Sequence, residues 1–90
     1  MKSIKEEVIM IITELSRDKN LNLKIKDRVT AHDKLNDLGF DSISFIKLVI
    51  EMENRFGIEF DDKMLDYTRY NTVAELIELV ENKKNVQYHA

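Results

Sequence analysis

The stretch LGFDSISFIKLVI, residues 38–50, decides how this chain is read. Gly39 breaks the preceding backbone, Asp41 is a natural N-cap, and Gly57 is suited to a C-cap, so the spacing predicts a helix over 42–56. This helix is apolar on two sides. At about 100° per residue, Phe45, Leu48, Val49, Met52 and Phe56 fall within roughly 100° of arc, an ordinary core stripe. Ile43, Ile46 and Ile50 fall within about 60°, almost opposite. One helix cannot bury both stripes against a single core. Either a neighbouring segment covers the second stripe or it meets a partner, and for Ile43, in the first turn beside Ser42, exposure is favoured.

The regions on either side are helical too. Ser3 followed by Glu6 is a capping-box pattern, and Ile4, Val8, Ile11, Ile12 and Leu15 recur at helical spacing, giving a first helix over about 3–16. Residues 17–40 keep no period and read as a long loop pinned by Leu21, Leu23, Ile25, Val29, Leu35, Leu38 and Phe40, with a short helical turn near 33–37. Asp61-Asp62 can cap a short third helix over about 62–67. Thr72-Val73-Ala74-Glu75 is a second capping box, opening a last helix whose inner stripe is Val73, Leu76, Ile77 and Val80 and whose end lies near Lys83-Lys84. The expected fold is all-α: a four-helix bundle with three main helices, a short third helix and a long loop between helices one and two. Residues 1–84 form a single domain and 85–90 a flexible tail.

Composition bounds the function. Ninety residues hold one core, and 43% hydrophobic with 34% charged residues describes a globular chain. There is no Pro, and the two glycines are at 39 and 57. The absence of cysteine excludes disulfides, thiolate ligands and a thiol nucleophile of the chain's own. A net charge of −3, with scattered lysines, argues against a nucleic-acid partner. The apolar run Val8–Ile12 is too short to span a bilayer, and Glu6-Glu7 interrupts any signal-peptide pattern, so no membrane association and a cytoplasmic location are expected. His32 and His89 stand alone, and no catalytic triad, phosphate loop or metal-ligand cluster is present, so the chain does not read as an enzyme.

The start of the second helix is where chemistry can occur. Asp41 at the N-cap places Ser42 in the first turn, where backbone N–H groups and the helix dipole favour an anion such as a phosphate ester. Taken alone, Asp-Ser-Ile is more simply a helix cap. The wider pattern changes that balance. Leu38-Gly39-Phe40-Asp41-Ser42-Ile43, then Leu48, Met52-Glu53 and Phe56-Gly57-Ile58, then Thr72-Val73 with Leu76-Ile77, resembles the acyl carrier protein family over roughly residues 3–82.

The resemblance implies a modification. In that family the serine matching Ser42 bears 4′-phosphopantetheine, transferred from coenzyme A by a phosphopantetheinyl transferase, and cargo is held on its thiol as a thioester. Asp41 would set the helix start and engage the transferase; Ile43, Ile46, Lys47 and Ile50 would form the partner-docking face. Implied partners are that transferase, an acyl- or aminoacyl-activating ligase or acyltransferase, and a downstream synthase, acting on a monomer.

Two alternatives stand beside it. One is an unmodified helical adaptor gripping a partner with the same stripe; the other is a peptidyl or aminoacyl carrier, though Asp before the serine resembles acyl carriers more. Fatty-acid carriers are strongly acidic along this helix, whereas residues 41–56 here hold two positive and three negative charges. That points to a specialised pathway, such as polyketide or hybrid peptide synthesis. The initial Met and the lack of Pro/Ala-rich flanks read as a discrete protein.

Overall fold

The computed structural model describes residues 3–25 and 28–88. Three α-helices carry the fold: α1 (Ile4–Leu15), α2 (Ser42–Phe56) and α3 (Val73–Tyr88). Short 3-10 turns at Lys19–Leu21, Asp62–Leu65 and Tyr67–Arg69 complete the secondary structure of the described residues apart from a single bridge between Lys34 and Thr72. The all-α expectation holds.

α1 starts as its sequence dictates: the Ser3 hydroxyl accepts from the Glu6 amide at 3.1 Å, and the stripe Val8, Ile11, Ile12 is buried. α2 buries Phe45, Leu48, Val49 and Met52 and ends at Gly57, whose φ of +64° and N–H bond to the Glu53 carbonyl form the expected cap. α3 adds Val73, Leu76, Ile77 and Val80. The three stripes meet in one core.

The long loop lies on that core. Leu21, Val29, Leu35, Leu38 and Phe40 are buried in the bundle, with Leu23 and Ile25 half-buried. Gly39 permits this path. Its φ is +88°, and a Cβ there would meet the Asn22 carbonyl oxygen at 3.1 Å, where the returning chain bonds Lys24 N–H to the Leu38 carbonyl at 2.8 Å. The radius of gyration, 12.4 Å, matches the ~12 Å of a compact chain of this length, so the loop is folded onto the bundle.

Several details depart from the sequence reading. The short third helix over 62–67 is instead two 3-10 turns broken at Asp66. The Asp66 carboxylate accepts from the Thr68 amide at 3.0 Å and the Thr68 hydroxyl at 2.6 Å, a local cap that restarts the chain in an extended conformation. Asp61 occupies the N-cap position but makes no side-chain capping bond. The expected helical turn at 33–37 is a single turn, closed by the Leu38 N–H on the Lys34 carbonyl at 3.1 Å, and it does not extend into a helix.

At the start of α3 the Glu75 carboxylate reaches the Asn71 amide at 2.8 Å, not that of Thr72. The amides of Val73 and Ala74 donate to the carbonyls of Asp33 (3.0 Å) and Ala31 (2.9 Å), so the long loop caps this helix. α3 also runs past Lys83-Lys84 into the segment expected as a tail, because no Gly or Pro follows to stop it. Lys84 donates to the Phe56 carbonyl at 3.2 Å, joining the end of α2 to α3. His89 lies outside the described residues.

Candidate functional site

The start of α2 is built by a reciprocal pair. The Asp41 carboxylate accepts from the Ser44 amide at 2.9 Å, and the Ser44 hydroxyl accepts from the Asp41 amide at 2.9 Å. Ser44 is fully buried, and its hydroxyl also reaches Asp41 Oδ1 at 3.1 Å. The Asp-x-x-Ser spacing at 41–44 carries this capping box, with Ser44 in the place where the common pattern has Glu or Gln, so the sequence does not mark it as a cap.

Ser42 therefore occupies the first helical position without serving as the cap. It is exposed, and its hydroxyl makes no hydrogen bond among the described residues. The amides of the first turn and the positive end of the helix dipole surround it with a field that suits a phosphodiester. The residues present thus fit a covalently attached phosphate group: an accessible hydroxyl on a helix start that other side chains hold fixed.

The Ser44 amide, and then the Ser44 hydroxyl, hold the Asp41 carboxyl below its ordinary value, against a small opposing effect of burial. A carboxylate whose folded value is lowered contributes stability that is present above its unfolded value of about 3.9 and lost as pH falls through the folded one. Ser44→Ala removes the hydroxyl's bonds to the Asp41 amide and carboxylate and keeps the amide's bond to the carboxylate. We expect it to cost about 1 kcal/mol at neutral pH and to flatten part of the acid limb of the stability–pH curve, as read by urea titrations between pH 7 and pH 3. An unchanged acid limb would show that the Ser44 hydroxyl does not lower the Asp41 carboxyl.

The structure gathers the other residues singled out in the sequence onto one face. Ile43, Ile46 and Ile50 are 66%, 45% and 48% exposed, so neither the long loop nor the 3-10 turns cover the second stripe. Lys47 lies on the same exposed side and pairs with Asp18 at 3.6 Å. Asp18, the cap of the first 3-10 turn, had no role in the sequence reading. An open hollow lined by Leu15, Asp18, Lys47, Ile50 and Glu51 lies at the far end of the stripe. Behind it, Arg55 bonds Glu7 and Glu14 of α1 and holds α2 in place.

Known proteins resemble this chain in sequence and in fold. The family model described as a phosphopantetheine attachment site matches residues 19–80, the segment that contains the start of α2. An acyl carrier protein homolog of Mycoplasma genitalium is 36% identical over 76 residues, which are 84% of this chain and 87% of that protein. The crystal structure of an acyl carrier protein from Thermotoga maritima superposes with a TM-score of 0.65 at 26% identity, covering 91% of each chain. The solution structure of the 3,7-dioxo-octyl actinorhodin acyl carrier protein of Streptomyces coelicolor gives a TM-score of 0.66 at 18% identity over 88% of this chain and 87% of that one, a likeness of fold. With the matched segment, the relatives and the helical fold in agreement, this chain belongs to the acyl carrier protein family: a carrier with covalently attached 4′-phosphopantetheine, and not a catalyst.

Proposed function

We propose that Ser42 is the residue that carries the 4′-phosphopantetheine, and that the loaded protein serves a specialised acyl-transfer pathway, of the polyketide or hybrid-peptide kind, in the cytoplasm. One observation carries the choice of Ser42: the capping work at this helix start falls to Asp41 and Ser44, which leaves the Ser42 hydroxyl exposed and uncommitted. The arm supplies a thiol for thioester formation, which a chain without cysteine lacks. Asp41 keeps the helix start fixed while the transferase acts, and Ile43, Ile46, Lys47 and Ile50 form the face that the transferase, a loading ligase or acyltransferase, and a downstream synthase touch. The carrier acts as a monomer formed by a single domain over 1–84.

The specialised pathway is supported by the charge of α2. Over residues 41–56, Lys47 and Arg55 balance two of the three acidic residues. Partners that steer to an acidic helix through basic patches gain little here. The test is mass spectrometry of the protein isolated from its native host, followed by incubation with the malonyl transferase of a fatty-acid synthase. The peptide containing Ser42 should carry phosphopantetheine, and the malonyl transferase should load it far more slowly than it loads a fatty-acid carrier. Modification at another residue rejects Ser42; malonyl loading at the control rate rejects the specialised pathway.

A further inference from the structure

Coenzyme A brings a pyrophosphate and a further phosphate to the reaction that loads Ser42, so a transferase that binds it presents cationic groups around those anions. In the transfer, the Ser42 oxygen bonds to the phosphorus that bears the pantetheine. The bond from that phosphorus to the bridging oxygen breaks, the nucleoside bisphosphate leaves with the electron pair, and the hydroxyl proton passes to a base of the transferase. Asp41 is the adjoining residue, and it is exposed. Docking Ser42 for this attack carries the Asp41 carboxylate into the same cationic surroundings.

Ser44 holds that carboxylate. Its hydroxyl accepts from the Asp41 N–H at 2.9 Å and lies 3.1 Å from Asp41 Oδ1 and 3.3 Å from the Asp41 carbonyl oxygen. A hydroxyl has one hydrogen to give, and the nearer, charged Oδ1 is the better acceptor. The Ser44 amide bonds Oδ1 as well, at 2.9 Å. Both donors converge on one carboxylate oxygen, and Asp41 Oδ2 makes no hydrogen bond among the described residues. Ser44 itself is fully buried, out of a partner's reach, so any effect it has on loading passes through a neighbour at the surface.

We propose that Ser44 is a positioning residue for the loading reaction: its hydroxyl fixes the Asp41 carboxylate so that Oδ2 meets a cationic group of the transferase as Ser42 enters the site. This rests on Ser42 carrying the arm. Held by the amide alone, the carboxylate keeps freedom to rotate. A second donor on the same oxygen removes that freedom before docking, so less order is lost when the complex forms. The contact is made on docking and kept through the transfer, so its loss shows in KM and not in kcat.

The experiment is a double-mutant cycle. Initial rates of phosphopantetheine transfer from coenzyme A by a broad-specificity transferase are measured against carrier concentration for wild type, Ser44→Ala, Asp41→Asn and the double variant. Asn caps a helix as well as Asp does, so Asp41→Asn removes the charge and keeps the cap. One ordinary hydrogen bond corresponds to a factor of about three to ten, and Ser44→Ala should raise KM for the carrier by that factor with kcat within about twofold. Asp41→Asn should raise KM further. In the Asp41→Asn background, Ser44→Ala should change KM by less than about twofold, because the group it acts through is gone. An equal factor in both backgrounds means that Ser44 acts on the helix start at large and overturns the proposal. A fall confined to kcat, or an unchanged KM in either single variant, overturns it too. Circular dichroism checks that each variant is folded; Ser44→Cys, whose thiol is a weak donor, stands in for Ser44→Ala where that one is not. A wild-type protein that gains no phosphopantetheine while a control carrier does rejects Ser42 as the attachment point, and the positioning role with it.

Discussion

Ser42→Ala should abolish loading completely and leave the bundle intact. After incubation with coenzyme A and a broad-specificity phosphopantetheinyl transferase, the wild-type protein should gain one phosphopantetheine by intact mass and the variant none. The physical ground is the division of labour at the start of α2. Asp41 caps the Ser44 amide and the Ser44 hydroxyl caps the Asp41 amide, while the Ser42 hydroxyl faces solvent. Removing that hydroxyl therefore takes away no capping bond, and Ala is at least as good a helix former. Stability should change by no more than about 0.5 kcal/mol. Ser44→Ala makes the contrast: it loses stability yet keeps the Ser42 hydroxyl, and it should still gain the mass. Loading of Ser42→Ala at the wild-type level would place the attachment point elsewhere.

The second large effect separates the two apolar stripes of α2. Leu48→Ala should lower unfolding free energy by about 2–5 kcal/mol, and Ile46→Ala by about 0.5 kcal/mol or less. Leu48 is fully buried, so truncation removes transfer energy and leaves a cavity among side chains that have no room to relax; Ile46 keeps nearly half its surface in water. Against a total of about 5–15 kcal/mol for a domain of this kind, the Leu48 loss is a large share. Urea denaturation checks it. The midpoint should fall steeply for Leu48→Ala and barely for Ile46→Ala, and similar shifts in both would mean that the isoleucine face is covered after all.

Much of the fold was legible because local rules and global packing agree along most of the chain. The Ser3–Glu6 pattern, the apolar stripes and Gly57 each specify a helix or its end from a few neighbouring residues, and the apolar anchors of the loop fell where the core needed them. The reading weakened where short segments chose between similar energies. At 62–69, Asp66 and Thr68 bond each other and split what hydrophobic spacing alone would join into one helix. At the start of α3, loop carbonyls distant in sequence reach the Val73 and Ala74 amides, so a local capping pattern did not determine the contacts. The site divides in the same way. Asp41 as the N-cap and the Ile43–Ile46–Ile50 stripe were visible from spacing, and Ser42 stood out through the family resemblance, whereas Ser44 as the capping hydroxyl was not visible, because two serines flank one isoleucine and pattern alone does not say which one turns inward.

By itself, the sequence determined that the chain is helical, that α2 has two apolar faces, and that a serine stands where an anion is favoured. Periodicity and capping chemistry act over three or four residues, so they can be read without knowing what packs against what. Only the tertiary structure decided which face of α2 is open, that Asp18 pairs with Lys47, and that the rings of Tyr67 and Tyr70 close over Phe45. These depend on where the long loop and the 3-10 turns come to rest. Their positions are fixed by burial and by hydrogen bonds between residues far apart in the chain, which no local pattern records.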